Sequence, residues 1–158
     1  MMTLCSEILN TLSGKTLVTA ESCTGGGIGA ALTAVPGSSS VYKGGIISYC
    51  NELKMTLLGV EQQLLEEYGA VSAPVAQAMA VGARTKLQAD VAVSVTGLAG
   101  PGGDDFGNPV GTVYIGYSDE KQSFSRKFRI SGDREYIREQ AVRAALKLVL
   151  EQNTCAGE

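Results

Sequence analysis

The sequence contains no histidine and no tryptophan. Without histidine there can be no Ser-His-Asp triad, no Cys-His pair and no histidine-ligated metal. Acid–base chemistry would have to come from Asp, Glu, Lys, Tyr or Cys. Long apolar runs are also missing. Each is cut by Gly, Ser or a charged residue, so none has the length of a membrane span. Basic residues are outnumbered, 13 Lys and Arg against 16 Asp and Glu, for a net charge of −3. Such a chain lacks the positive field that nucleic acid or an anionic membrane calls for, although a local basic cluster could still hold one small phosphorylated ligand. The opening MMTLCSEILNTLSGK carries Glu7 and has neither the basic start nor the long apolar middle of a secretory signal. A cytoplasmic protein is the expectation. The cysteines, Cys5, Cys23, Cys50 and Cys155, show no CxxC spacing. No zinc site or disulfide framework is expected, and the thiols should be reduced.

The 158 residues suit one domain, taken as 1–158. Residues 3–13 read as a helix with Leu4, Ile8, Leu9 and Leu12 near one face. KTLVTAE (15–21) reads as a strand, and Thr24 to about Ala34 as a helix. VPGSSS is a turn cluster. YKGGIISYC (42–50) reads as a strand whose glycines suggest a close approach to its backbone. Asn51 could cap a short helix ending at Gly59, and 61–68 forms another. Ser72 caps a longer helix, 73–88, with Pro74 in its first turn. DVAVSVT (90–96) is the most apolar strand and the expected centre of the sheet. A glycine loop follows. Residues 110–118 and 122–131 alternate and form a hairpin around SDEK, and a last helix runs from Gly132-Asp133 to about Gln152. Strands separated by helices and then a hairpin imply an α/β protein. The expected architecture is a three-layer α/β/α sandwich with a mixed sheet that includes a C-terminal antiparallel hairpin.

Chemistry-bearing residues cluster after the strands. In AESCTGGG, Ser22 stands where a strand turns toward a helix. The backbone N–H groups of Thr24, Gly25 and Gly26 could cap Ser22, hold a phosphate or form an oxyanion hole. A nucleophilic serine here would need a lysine base. Lys54 is the candidate, on a short helix among Leu53, Met55, Leu57 and Leu58, with Tyr49 nearby as a proton relay. The competing reading is a surface lysine beside a capping serine. Cys23 is the alternative nucleophile. Arg134 and Arg138, four apart on one helical face, suit a phosphate or carboxylate, unless Glu135 or Glu139 pairs with them. Asp104 and Asp105 could hold Mg²⁺ with a nucleotide, or could belong to a solvated loop.

AESCTGG, PGSS, GGIISYCNELKMTLLGV, GAVSAPVAQAMAVGA, VSVTGLAGPGG, PVGTVYIG and GDREYIREQAV occur in this order. Together they resemble the carboxy-terminal domain of the CinA (competence/damage-inducible) family, whose stand-alone form is the PncC-type nicotinamide-nucleotide amidase. The resemblance runs from about residue 5 to residue 150. It implies hydrolysis of the carboxamide of nicotinamide mononucleotide to nicotinate mononucleotide and ammonia, in pyridine-nucleotide recycling. It implies Ser22 as nucleophile, Lys54 as base and Tyr49 beside them, with no cofactor and no metal. Thr24, Gly25 and Gly26 would supply oxyanion donors. Position assigns substrate contacts to Ser38, Ser39, Asn51, Thr96, Gly97, Gly100, Arg134 and Arg138. A homo-oligomer, a dimer or higher, is implied as well, and the apolar excess on the long helices would allow one. The adjacent aspartates of GGDDFGNP depart from the family pattern and bear on substrate preference. A different amidase or esterase using the same serine and lysine is the alternative within enzymology, and two further readings compete with the amidase. One is a catalytically inactive nucleotide-binding module linked to competence or DNA damage. The other is a Mg²⁺-dependent phosphohydrolase.

Overall fold

A computed structural model describes residues 1–154, so Cys155 lies outside the described residues. The elements are α1 (Met2–Thr11), β1 (Leu17–Glu21), α2 (Gly27–Thr33), a 3-10 turn (Ser38–Ser40), β2 (Tyr42–Ile47), α3 (Asn51–Leu58) and α4 (Gln62–Tyr68). They continue with α5 (Ala73–Leu87), β3 (Val91–Gly97), β4 (Thr112–Ser118), β5 (Ser123–Arg129) and α6 (Arg134–Thr154). The five strands lie in the order β2-β1-β3-β4-β5. β1 runs parallel to β2 and β3, while β3–β4 and β4–β5 are antiparallel. This is the expected mixed sheet, with the most apolar strand in its middle and the hairpin at one side. The hairpin turn is fastened by Asp119, whose Oδ1 accepts the amides of Lys121 at 2.8 Å and Gln122 at 2.9 Å.

The alternation of side chains divides the core in two. Val91, Val93 and Val95 of β3 join Val113, Ile115 and Tyr117 of β4 beneath α1, α2 and α6. The other face carries small residues and takes α3, α4 and α5. There Ser94 donates its hydroxyl to the Ala76 carbonyl of α5 at 2.6 Å. Gly116 of β4 packs so closely that a β-carbon would strike that carbonyl and the Ser94 hydroxyl. Small residues on one face of the sheet are therefore what let α5 lie flat on it. On α1 the deeply buried residues are Cys5 and Ile8, joined by Leu12 just past its end, while Leu4 and Leu9 are packed at the margin.

Three local expectations are corrected. The helix expected from Thr24 begins only at Gly27, because Gly25 (φ +59°) and Gly26 (φ +103°) are left-handed and keep 22–26 in turns. The strand expected over 42–50 stops at Ile47. Asn51 is the first residue of α3 rather than its cap. Ser72 does stand at the N-cap of α5, but its hydroxyl turns back to the Gly69 carbonyl at 2.8 Å and takes no helix amide. The close approach expected at the glycines of β2 is internal and holds for Gly45 alone: a β-carbon there would collide with Thr19 Oγ1 and the Tyr42 hydroxyl, whereas one on Gly44 would meet open space. No helix among the described residues is long and apolar enough to cross a membrane.

Candidate active site

Because β1, β2 and β3 are parallel, their carboxyl ends share one edge of the sheet. Binding sites of α/β folds gather at such edges. Here the turn after β1, the segment from β2 into α3 and the loop after β3 border a cavity of about 260 Å³. Ser22, Tyr49, Asn51, Lys54, Thr96 and Arg134 contribute polar groups to it, and Ala70, Val71 and Leu98 form an apolar wall.

Lys54 is 1% exposed although it is a lysine. Its Nζ lies 3.0 Å from Ser22 Oγ and donates to the Ser48 carbonyl at 2.7 Å. Burial holds its pKa below the ordinary lysine value, against a smaller upward pull from Cys50 and Cys23. It makes no ion pair, since the single salt bridge among the described residues joins Arg126 and Glu151. A desolvated amine within hydrogen-bond reach of a hydroxyl has the geometry of a general base beside a nucleophile.

Glu21 organises the turn that carries Ser22. It is 2% exposed, and its carboxylate accepts Thr24 Oγ1 at 2.6 Å and the amides of Ile28 at 2.9 Å and Gly29 at 3.1 Å. A strand carboxylate thus does the capping work at the head of α2. The sequence reading passed over Glu21. A lone acid ending a strand gives no signal of this role until the fold brings the helix head to it.

The turn amides divide unequally. Gly25 N–H donates to the Ser22 carbonyl and Gly27 N–H to the Thr24 carbonyl, each at 3.0 Å. Gly25 is therefore spent inside the turn and drops out of the expected donor set. Those of Thr24 and Gly26 have no partner among the described residues.

The expected substrate contacts also separate. Arg134 reaches the cavity, where it donates to the Gly100 carbonyl at 2.7 Å and to the Tyr49 hydroxyl oxygen at 3.1 Å. Gly97, Gly100 and Asn51 border the cavity too. Thr96 borders it but turns its hydroxyl to the Ala70 carbonyl at 2.8 Å. Arg138 does not line it. Its Nε donates to the Cys23 carbonyl at 3.0 Å and its Nη2 to that of Thr24 at 3.4 Å, so it grips the serine turn from outside. Ser38 and Ser39 precede β2, whose first residue pairs with the start of β1, and so lie at the opposite edge of the sheet from Ser22. Asp104 accepts the amides of Phe106 and Asn108 and the Asn108 side chain, which makes it the pin of its own loop. No group of three or more metal-ligating side chains occurs among the described residues.

Comparison with known proteins shows the family and the fold. The model of the CinA C-terminal domain matches residues 2–153. The chain belongs to the CinA family. A CinA-like protein of Thermosynechococcus vestitus is 51% identical over 141 residues, which are 87% of this chain and 34% of that protein. A CinA-like protein of Mycolicibacterium paratuberculosis is 48% identical over 143 residues, 87% of this chain and 33% of its own length. This chain thus spans about a third of the curated CinA relatives it matches. Solved CinA superfamily proteins share the fold over nearly all of it. The one from Klebsiella pneumoniae superposes with a TM-score of 0.93 at 35% identity, covering 97% of each chain. That from Escherichia coli has a TM-score of 0.93 at 38% identity, covering 96% of this chain and 89% of its own.

Proposed function

We propose that this CinA-family chain is a metal-independent amidohydrolase that converts nicotinamide mononucleotide to nicotinate mononucleotide and ammonia. The observation that carries the reading is the buried amine of Lys54, 3.0 Å from the Ser22 hydroxyl. A pure binding module has no use for a desolvated base on a serine. The family resemblance supplies the substrate. The cavity suits it, with an apolar wall for the pyridine ring, Asn51 for a polar group and Arg134 at hand for the phosphate.

Neutral Lys54 takes the Ser22 proton as Oγ attacks the carboxamide carbon. The donors left for the oxyanion are the Thr24 and Gly26 amides of the serine turn, unpartnered among the described residues although neither residue borders the cavity. When the intermediate collapses, the C–N bond breaks and the leaving nitrogen takes a proton, so that ammonia departs. Tyr49 can hand that proton on, because Arg134 donates to its oxygen and leaves its own hydrogen free. Lysine, once protonated, restores the tyrosine. Water then attacks the acyl-enzyme, giving its proton to neutral Lys54, and the carboxylic acid leaves as Ser22 recovers its hydrogen.

Ammonia release from nicotinamide mononucleotide tests the reading. Release by the wild-type protein, unchanged by EDTA and lost in Ser22→Ala and Lys54→Ala, is the expected result. No release from folded protein would overturn it and would leave a nucleotide-binding module as the better description. Inhibition by EDTA would favour the phosphohydrolase chemistry of the Asp104 loop.

A further inference from the structure

Ser48 is wholly buried, and its hydroxyl is the one buried side-chain nitrogen or oxygen without a hydrogen-bond partner among the described residues. Such orphans are rare, because a hydroxyl stripped of water and left unpaired is destabilising. The rest of Ser48 is fully employed. Its amide donates to the Glu21 carbonyl at 2.8 Å, and its own carbonyl accepts Lys54 Nζ at 2.7 Å. Lys54 has a vacancy of its own. Beyond Cε, a tetrahedral Nζ has three directions. One meets the Ser48 carbonyl, one meets Ser22 Oγ, and the third has no partner among the described residues. The unpaired hydroxyl therefore hangs on the very residue that already holds the amine.

We propose that Ser48 is a positioning residue whose two oxygens, carbonyl and hydroxyl, take the two N–H bonds of neutral Lys54 and leave its lone pair facing Ser22. The inference rests on the serine–lysine reading above. With the carbonyl alone as acceptor, the amine can still turn either its lone pair or its second N–H toward Ser22, and only the first orientation removes a proton. The hydroxyl is not bonded to Nζ in this structure; the proposed contact forms when rotation about Cα–Cβ carries it to the side of its own carbonyl oxygen, and it then selects the productive orientation. The same contact persists when Lys54 becomes an ammonium, with its third N–H then on Ser22 Oγ. Bonds from a charged donor are the stronger ones, so the hydroxyl favours the protonated amine and opposes the effect of burial.

Other groups around Lys54 set the background. Cys50 at the head of α3 and Cys23 after β1 favour its charge. Tyr49 and Arg134 share its cavity, and Glu21 and Arg138 act on Cys23 from the far side. On this side of the sheet α4 and α5 present Leu65, Val75 and Met79, which do not titrate.

The test is the titration of Lys54 in substrate-free protein, followed by NMR of ¹³C-labelled lysine and assigned by its loss in Lys54→Arg. Ser48→Ala should lower the midpoint by about one pH unit. Its kcat for nicotinamide mononucleotide should fall roughly tenfold with KM little changed. Ser48→Cys keeps the volume but offers a poor acceptor, and should move the midpoint in the same direction. A midpoint unchanged in whichever of these variants folds would overturn the proposal. If the wild-type protein releases no ammonia, the amidase reading fails by itself, while the midpoint still decides the role of Ser48.

Discussion

Lys54 Nζ lies 3.0 Å from Ser22 Oγ across 32 positions of sequence, in an environment where the lysine is almost wholly buried. This contact costs the fold something. A lysine whose folded pKa sits below its ordinary value near 10.5 binds fewer protons folded than unfolded between those two pH values. Its burden on stability is greatest below the folded pKa, and it lightens as pH rises through that window.

Lys54→Met should therefore abolish ammonia release, by at least about 10³-fold, while raising the melting temperature at pH 7 by a few degrees, of order 2–4 °C. The stability gain over wild type should shrink as pH climbs toward 10. Calorimetry of both proteins at pH 7, 8.5 and 10 reads it. A variant that is less stable than wild type at every pH would mean that the amine is a net structural support.

Cys23 adjoins Ser22, and the sequence left it as the rival nucleophile. Burial pushes its thiol up to about 11, a rise that Arg138 and Lys54 only partly offset. At pH 7.5 that leaves roughly 0.03% thiolate. Iodoacetamide should consequently label exposed Cys50 at least about a hundredfold faster than Cys23. Between pH 7 and 9 labelling of Cys23 should quicken about tenfold per unit. Peptide mapping by mass spectrometry follows each thiol separately. Rapid labelling of Cys23 at neutral pH would return it to contention.

The small-residue face of the sheet gives a prediction about the scaffold. Gly116→Ala would drive a methyl into the Ala76 carbonyl and the Ser94 hydroxyl, which are hydrogen-bonded to each other. The change should cost about 1–3 kcal/mol in urea unfolding. It should reduce activity chiefly through the fraction folded, since α5 reaches the cavity only through the segment before it.

Much of this was legible in the sequence. The order of helices and strands, the central DVAVSVT strand and the hairpin around SDEK follow from apolar period and turn residues, which act locally. Ser22, Tyr49 and Lys54 stand after strands, so a parallel sheet brings them to one edge. What was hidden depends on long-range packing. A four-residue spacing puts Arg134 and Arg138 on one side of a helix, but only the packing of α6 decides which guanidinium enters the cavity. Ser38 and Ser39 look like polar lining until strand direction places them at the far edge. The role of Glu21 at the head of α2 exists only once both left-handed glycines have turned the chain back over it.

The two arginines should fail in different ways. Arg134 faces the cavity and holds Gly100 and Tyr49. Arg134→Ala should raise KM for nicotinamide mononucleotide about tenfold or more, and lower kcat as Tyr49 loses its partner. Arg138 works through a peptide plane. In a trans peptide the C=O and N–H point in opposite directions. By donating to the Cys23 carbonyl from outside, Arg138 turns the Thr24 N–H away from itself and polarises it as a donor. Arg138→Ala should then lower kcat about 10–100-fold with KM nearly unchanged, because the amide matters only once negative charge develops on the substrate oxygen. Arg138→Lys should recover little, since an ammonium cannot span the Cys23 and Thr24 carbonyls as the fork does. A rise in KM alone in Arg138→Ala would show instead that this guanidinium binds the phosphate.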